Sequence, residues 1–189
     1  MTPEPQIPRV PEEALSPVLQ AAVEKARRER GDATFLQVMA HAPSLLQWYQ
    51  DFYQQIFYGG QVPVRFKEIA RLRLSTLHGC AFCNRGNRLD ARRAGLSDEQ
   101  IAAIDSPGAQ VWSDAERAVL ELAERLSLNS PQGSLDPGLY DECRRHFSDA
   151  QIVELGLTMA ILVGMAKFLF TFDLVEKESY CQFGSPGAG

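Results

Sequence analysis

Apolar positions in this chain recur at intervals of three and four residues, and no segment of useful length alternates with the two-residue period of a strand. Polar signals divide the helical segments. Ser16 and Pro17 have the pattern of an N-cap followed by proline at the first helical position, and Gly31 ends that helix. Two further helical runs, 34–42 and 44–57, are separated by a proline. The pattern predicts an all-α protein.

Later helix starts are marked by capping boxes, in which a serine is followed three residues later by Glu or Gln. These serines are Ser97, Ser113 and Ser148, and Asp136 followed by Pro137 marks one more start. The segments between the marks are short, which favours one helical domain with short loops.

The segment 152–172 is apolar on nearly all sides of a helix. A helix without a polar face is buried on all sides, and a domain this small can rarely enclose such a helix alone. We therefore expect a second subunit to cover part of it, which predicts an obligate or near-obligate homo-oligomer. Lys167 and two glycines interrupt the longest apolar run, 155–172, so we predict no membrane span.

Composition adds limits on class and compartment. The 189 residues are 45% apolar, enough for one core, and we place a single domain at 13–181 between a flexible N-terminal arm, 1–12, and a flexible tail, 182–189. A net charge of −5 and a pI of about 5.3 argue against nucleic acid as a partner. The first residues are Pro-rich and acidic without an apolar signal region, so we predict a cytoplasmic protein.

Cys80 and Cys83 form a Cys-x-x-Cys pair about one helical turn apart, close enough to form a disulfide or to hold one edge of a metal site. A structural zinc site needs four ligands, and Cys143 and Cys181 stand alone, far off in sequence, so we expect no metal. A thioredoxin-like site needs a preceding strand, whereas both flanks here are helical. A dithiol redox site and a pair of buried, inert thiols remain as alternatives.

The position of the pair favours the redox site. Gly79 can break the preceding helix, so that Cys80 and Cys83 begin the next one, where backbone N–H groups stabilise a thiolate. Arg85 and Arg88 add positive potential nearby. A thiolate there can attack a peroxide oxygen or a disulfide sulfur, and the partner cysteine then closes an intramolecular disulfide.

A carboxylate completes a longer pattern, because eleven residues separate Glu68 from Cys80, and Cys83 follows after two more. With this spacing, and with the flanking text KEI, LHGC and ARRAGLS, the chain resembles the carboxymuconolactone decarboxylase superfamily, specifically its alkylhydroperoxidase D-like (AhpD-like) branch. The stretch 147–178 is similar to that superfamily's second helical block. The resemblance therefore covers the chain from about Pro43 to Glu178.

The resemblance implies an AhpD-like all-helical subunit that assembles into trimers or hexamers and has thiol peroxidase activity without a metal or other cofactor. It implies that Cys83 attacks the hydroperoxide and that Cys80 resolves the product. An external dithiol, such as a lipoylated protein, would then reduce the disulfide. Glu68 would belong to the proton relay that ionises the thiol.

One position departs from that pattern, because the relay histidine is replaced by Asn87. A carboxamide can orient water but cannot exchange a proton near neutral pH. His78, the nearest histidine, either joins a relay or ends a helix and satisfies its last carbonyls. Without an imidazole, we expect Glu68 to be held by a neighbouring arginine, with Arg71 and Arg73 as candidates, or to act through water.

We therefore predict a dithiol oxidoreductase that reduces hydroperoxides through a Cys80–Cys83 thiol–disulfide cycle. One alternative is a lactone decarboxylase-like or other proton-transfer enzyme on the same fold, in which the pair is incidental. The other is a non-catalytic, redox-sensing oligomer, an interpretation motivated by Asn87.

Overall fold

A computed structural model describes residues 2–132 and 134–183, and within those ranges the chain is helical and has no strand. The all-α prediction is confirmed. The helices are α1 (Pro17–Arg30), α2 (Thr34–Met39), α3 (Pro43–Phe52), α4 (Val64–His78), α5 (Ala81–Arg93), α6 (Asp98–Ala102), α7 (Asp114–Leu126), α8 (Pro137–Arg144) and α9 (Asp149–Thr171). Of the predicted flexible tail, residues 184–189 lie outside the described residues.

The polar signals in the sequence begin the helices as predicted. Both halves of the capping box are formed at Ser97, Ser113 and Ser148, where the serine Oγ accepts the N–H three residues on and the Glu or Gln side chain accepts the serine N–H. Ser16 and Asp136 cap α1 and α8 in the same first-turn geometry.

The predicted helical run 44–57 changes character part of the way along. After α3 the chain continues as a π-helical turn, Tyr53–Phe57. Lys67, which is fully buried on α4, stabilises this turn. Its Nζ donates to the carbonyls of Ile56 at 2.5 Å and Gly59 at 2.8 Å. Those carbonyls are therefore satisfied by a side chain instead of by the helix ladder.

α4 lies at the centre of the fold and packs against α5, α7 and α9. Eleven of its fifteen residues are buried, including four charged ones, Lys67, Glu68, Arg71 and Arg73. Each of these has an ionic partner, as buried charge requires: Lys67 lies 2.6 Å from Glu154, and the other three are paired with groups of α4, α5, α7 and the α6–α7 connection. A central helix of this kind fixes the position of the residues that follow it.

The apolar helix α9 is only partly enclosed by its own subunit. Val153 is 68% exposed and Leu157 is 54% exposed. By length and composition this 23-residue helix could cross a membrane, with a mean hydropathy of 1.9 and a third of the apolar window buried, although core helices of soluble proteins pass the same test. The expectation that a second subunit covers this face stays a prediction.

The N-terminal arm lies along the body of the domain. Val10 N–H donates to the Gln37 carbonyl at 3.2 Å, and Glu4 N–H donates to Asp173 Oδ2 at 2.8 Å. These contacts give the arm a defined path next to α2 and the end of α9. Its predicted flexibility stays a prediction.

Candidate active site

The cysteine pair lies where the sequence predicts a break between two helices. Gly79 ends α4 in the left-handed region at φ +70°, a conformation that favours glycine, and Cys80 is the N-cap of α5. The Cys80 Sγ accepts the Cys83 N–H at 3.2 Å. The two residues are joined by a disulfide with a Cα–Cα separation of 5.2 Å. The two sulfurs are therefore within bonding reach at a helix N-terminus.

The two cysteines differ in exposure. Cys80 is 1% exposed, whereas Cys83 is partly exposed. Both line a cavity of about 580 Å³. Cys83 is thus the sulfur that a molecule in the cavity reaches more easily, which fits its predicted role as the attacking thiolate.

The cavity wall is mainly apolar and aromatic. It is built from α1, the α2 and α3 region, α4, α5 and α9, and its larger apolar contributors include Phe35, Leu46, Tyr53, Phe82, Met165 and Leu169. Tyr49 also lines it, and its hydroxyl lies 3.4 Å from that of Tyr53. Burial raises the pKa of the Tyr49 phenol, so this hydroxyl stays protonated at physiological pH. Such a surface suits an organic molecule with a bulky apolar part.

Glu68 is paired with Arg71, one of the two arginines that were predicted as its partner. Arg71 Nε and Nη2 donate to its two oxygens at 3.0 and 2.8 Å, while Arg73 instead pairs with Asp105 and Glu124. Burial raises the pKa of Glu68, and the attraction of the Arg71 guanidinium opposes that rise. A carboxylate so fully engaged is fixed in position.

Asp90 connects this pair to the cavity. Arg71 Nη2 also donates to Asp90 Oδ2 at 2.9 Å, and Arg30 Nη2 reaches the same oxygen at 3.3 Å. Arg30, Arg71 and Asp90 line the cavity, whereas Glu68 does not belong to its lining. Arg93 of α5 also donates to Asp90, with its Nη1 at 2.8 Å from Oδ1, so three guanidinium groups meet at this carboxylate. Asp90 is not among the site residues predicted from the sequence. Its position two helical turns after Cys83 on α5 places both residues on one helix face, and this spacing is the signal for it in the sequence.

Asn87 occupies the predicted relay position and lines the cavity. It is buried, and its Nδ2 donates to Ser75 Oγ at 3.0 Å, which in turn donates to the Leu72 carbonyl at 3.0 Å. This chain fixes the carboxamide on the central helix. A fixed amide can orient a substrate or a water molecule but cannot carry a proton to Glu68.

His78 also lines the cavity, but its role differs from helix capping. Its Nε2 accepts the Leu128 N–H at 3.0 Å, so this nitrogen does not donate to a carbonyl of α4. Burial lowers the pKa of His78 to about 4. The imidazole is therefore neutral at physiological pH, with its proton on Nδ1, and it offers a hydrogen bond rather than a positive charge.

Cys181 is the residue that sequence reasoning misplaced. It was interpreted as an isolated cysteine, yet it packs in one apolar cluster with Cys80 and Cys83 and lies directly against Gly79. Nothing in a separation of about a hundred residues signals this proximity. Cys143 is buried elsewhere, next to α7, and burial raises its pKa to about 11. Among the described residues, no three His, Cys, Asp or Glu side chains are grouped to hold a metal ion.

Comparison with known proteins agrees with this geometry. Residues 43–125 match the carboxymuconolactone decarboxylase family. The matched segment contains the central helix and the cysteine pair. This match confirms the carboxymuconolactone decarboxylase resemblance predicted from the sequence for that segment, and the fold of the chain is AhpD-like.

The chain is also similar to individual proteins. An uncharacterized Bacillus subtilis (strain 168) protein, YdfG, is 33% identical over 92 residues, covering 48% of this chain and 62% of YdfG. The chain thus spans about three-fifths of that relative's length.

Two solved structures share the fold along nearly the whole chain. One is a variant of the debrominase Bmp8 in complex with 2,3,4-tribromopyrrole, with a TM-score of 0.74, 19% identity and 95% of each chain covered. The other is an uncharacterized peroxidase-related protein with an alkylhydroperoxidase AhpD core from Ralstonia eutropha JMP134, with a TM-score of 0.71, 14% identity and 95% of each chain covered. At these identities the likeness defines the fold alone.

Proposed function

We propose that this protein is a dithiol oxidoreductase that reduces organic hydroperoxides through Cys80 and Cys83. The observation that carries the proposal is a disulfide at a helix N-terminus whose more exposed sulfur faces an apolar cavity. A disulfide with a structural role alone would not require a cavity next to one of its sulfurs. A helix N-terminus also lowers the pKa of nearby thiols, which supplies the reactive thiolate.

The reaction consumes one hydroperoxide and two thiols. The Cys83 thiolate attacks the terminal peroxide oxygen, the O–O bond breaks, and the alcohol leaves with a proton while Cys83 becomes a sulfenic acid. The Cys80 sulfur then attacks Cys83, and the sulfenic oxygen leaves as water. The Cys83 N–H supports this second step, because it donates to the Cys80 sulfur and favours its ionised form.

The cavity favours a neutral organic hydroperoxide over hydrogen peroxide or an anionic substrate. Its wall is mainly aromatic and aliphatic. The charged side chains of its lining are balanced in sign once Glu68 behind them is counted; they are Lys25, Glu29, Arg30, Arg71 and Asp90. Asn87 and neutral His78 supply fixed hydrogen-bonding groups for the peroxide oxygens. In this account those groups orient the substrate, and the proton reaches the leaving alkoxide from water.

The cycle needs an external dithiol reductant, for which a lipoylated protein is our proposal. We further propose a homo-oligomer, a trimer or hexamer, in the cytoplasm, acting without a cofactor. The exposed apolar face of α9 at Val153 and Leu157 supports the assembly, because single subunits rarely leave such a face in water.

A second candidate is reductive removal of a halogen from an aromatic ring, and the aromatic lining of the cavity favours it. In that reaction two thiols become a disulfide, the carbon–bromine bond is replaced by carbon–hydrogen, and bromide and a proton are released. The fold shared with Bmp8 makes it worth testing beside the peroxidase reaction.

A substrate panel with dihydrolipoamide as reductant separates these functions. We expect cumene hydroperoxide to turn over at least about ten times faster than hydrogen peroxide, since the apolar cavity binds only the former, and faster than a bromopyrrole is debrominated. Faster debromination would replace the first candidate by the second. Conversion of a carboxylated lactone without reductant, surviving replacement of both cysteines, would reject dithiol chemistry. A change in oligomer mass on oxidation with no turnover of any substrate would indicate a redox sensor instead of an enzyme.

A further inference from the structure

The chain that follows α9 crosses the start of α5. We call residues 174–183 the C-terminal strap. Phe82 N–H donates to the Glu176 carbonyl at 3.2 Å, and Glu178 N–H donates to the Gly79 carbonyl at 2.8 Å. An ion pair of 2.5 Å between Arg85 and Glu176 adds to this attachment. The strap is therefore bound to both sides of Cys80 along the chain.

These attachments bring Cys181 next to the disulfide. A Cβ built on Gly79 would lie 2.8 Å from both the Cα and the Cβ of Cys181. Because a Cα–Cβ bond is about 1.5 Å and adjacent Cα atoms are about 3.8 Å apart, the Cα atoms of Cys181 and Cys80 lie within about 8 Å of each other. Disulfides join Cα atoms about 4.4–6.8 Å apart, so a small movement of the strap would bring the two residues into bonding geometry.

The strap also affects access to the disulfide. Cys80 is 1% exposed, so a protein reductant that is too large to enter the cavity cannot approach its sulfur directly. Cys181 carries a free thiol and is partly exposed, while its side chain packs in the same apolar cluster as Cys80 and Cys83. Thiol–disulfide exchange requires access to a sulfur, and Cys181 is partly exposed while it packs beside the buried one.

We propose that Cys181 is a third redox-active cysteine that transfers reducing equivalents from an external protein dithiol to the Cys80–Cys83 disulfide. This proposal rests on the dithiol function proposed above and extends it with a path for reduction. It assigns the strap a chemical role that the cysteine pair alone does not require.

The exchange balances in two steps. The Cys181 thiolate attacks the Cys80 sulfur, the Cys80–Cys83 bond breaks, and Cys83 leaves as the thiolate that the next hydroperoxide needs. The external dithiol then attacks the Cys181 sulfur, Cys80 leaves and takes a proton, and the second thiol of the reductant expels Cys181 as it closes its own disulfide. Two electrons pass from the external dithiol to the cysteine pair, and Cys181 ends as it began.

The first test traps the intermediate bond without any peroxide. In the variant Cys83→Ser, oxidation with diamide is expected to join Cys80 to Cys181 within one chain in the majority of molecules, as read from non-reduced peptide maps. The matched variant Cys80→Ser is expected to form at least about ten times less of a Cys83–Cys181 bond, since the strap lies against Gly79 and Cys80. Free Cys80 after oxidation, or linkage of Cys80 to Cys143 as often as to Cys181, would overturn the proposal.

The second test measures the reduction step in the otherwise intact protein. A reduced lipoyl domain, which is too large to enter the cavity, is expected to reduce the Cys80–Cys83 disulfide of Cys181→Ser at least about ten times more slowly than that of the wild type. Cys143→Ser, the same substitution at a distant free cysteine, is expected to match the wild type. Equal rates for Cys181→Ser and the wild type would overturn the relay. Neither test contains a hydroperoxide, so both results can be interpreted even if the protein does not reduce hydroperoxides.

Discussion

Replacing Cys83 by serine is expected to lower the rate of cumene hydroperoxide reduction by at least about a thousand-fold. The hydroxyl of serine does not ionise near neutral pH, so the variant lacks the nucleophile on which the reaction depends. The cavity and the helix start should persist, because serine is a good residue in the first turn of a helix. The measurement is hydroperoxide consumption with dihydrolipoamide as reductant, on protein whose helical content is checked by circular dichroism.

Cys143→Ser is the matched control for that experiment. Cys143 is a buried free thiol in the core cluster beside α7, outside the cavity, so its loss should leave the rate of hydroperoxide reduction within about two-fold of the wild type. Turnover by Cys83→Ser at a rate near that of Cys143→Ser would remove Cys83 from the reaction. If only Cys80→Ser lost activity, Cys80 would be the attacking cysteine and Cys83 the resolving one.

Replacing Arg71 by methionine is expected to reduce the free energy of unfolding at pH 7 by about 3–5 kcal/mol. The Arg71 guanidinium is the partner of buried Glu68 and one of three cations on Asp90, and it lies 4.8 Å over the Phe57 ring. Methionine keeps most of the apolar contact but leaves the Glu68 carboxylate buried without its cation. Urea unfolding measures the loss.

The size of this loss should depend on pH in a defined direction. Burial already raises the pKa of Glu68, and removing the Arg71 charge raises it further. When a carboxyl group has a higher pKa in the folded state than in the unfolded state, the folded state binds more protons, so stability falls as pH rises through these values. The deficit of Arg71→Met relative to the wild type should therefore be smaller at pH 5 than at pH 7.

Two further variants make the result of that experiment specific. Arg92→Met breaks a solvent-exposed pair with Asp98, and we expect it to cost less than about 1 kcal/mol. Adding Glu68→Gln to Arg71→Met should recover part of the loss, because the buried charge is then absent. If Arg71→Met destabilised the protein no more than Arg92→Met does, Glu68 would not be a buried carboxylate that depends on this arginine.

Local signals predicted most of the elements of the fold. The serines that cap α6, α7 and α9 act within one turn of chain, so their effect can be identified from four consecutive residues. Gly79 and Cys80 are equally local, because glycine permits the left-handed turn and the next residue starts α5. The pairing of Glu68 with Arg71 follows from their spacing of three on one helix.

The parts of the site that sequence reasoning missed depend on contacts between distant segments. Asp90 becomes part of an ionic cluster only in the folded chain, where Arg30 of α1 and Arg71 of α4 both pair with it. Cys181 reaches Gly79 because α9 ends where the strap can turn back across α5, which is a property of the assembled fold. The seven-residue spacing of Asp90 from Cys83 places both on one face of α5 but does not identify its arginine partners, and the spacing of Cys181 from Gly79 carries no signal. For the same reason, the cover of the exposed face of α9 stays a prediction.

The most direct test of the account is a single turnover of the fully reduced protein with one equivalent of cumene hydroperoxide. We predict one equivalent of alcohol and the loss of two of the four thiols per chain. Peptide mapping should find Cys80 joined to Cys83, with Cys143 still open to alkylation after unfolding. The account would be contradicted if the hydroperoxide were consumed while all four thiols remained. It would also be contradicted if neither the hydroperoxide nor the thiols were consumed.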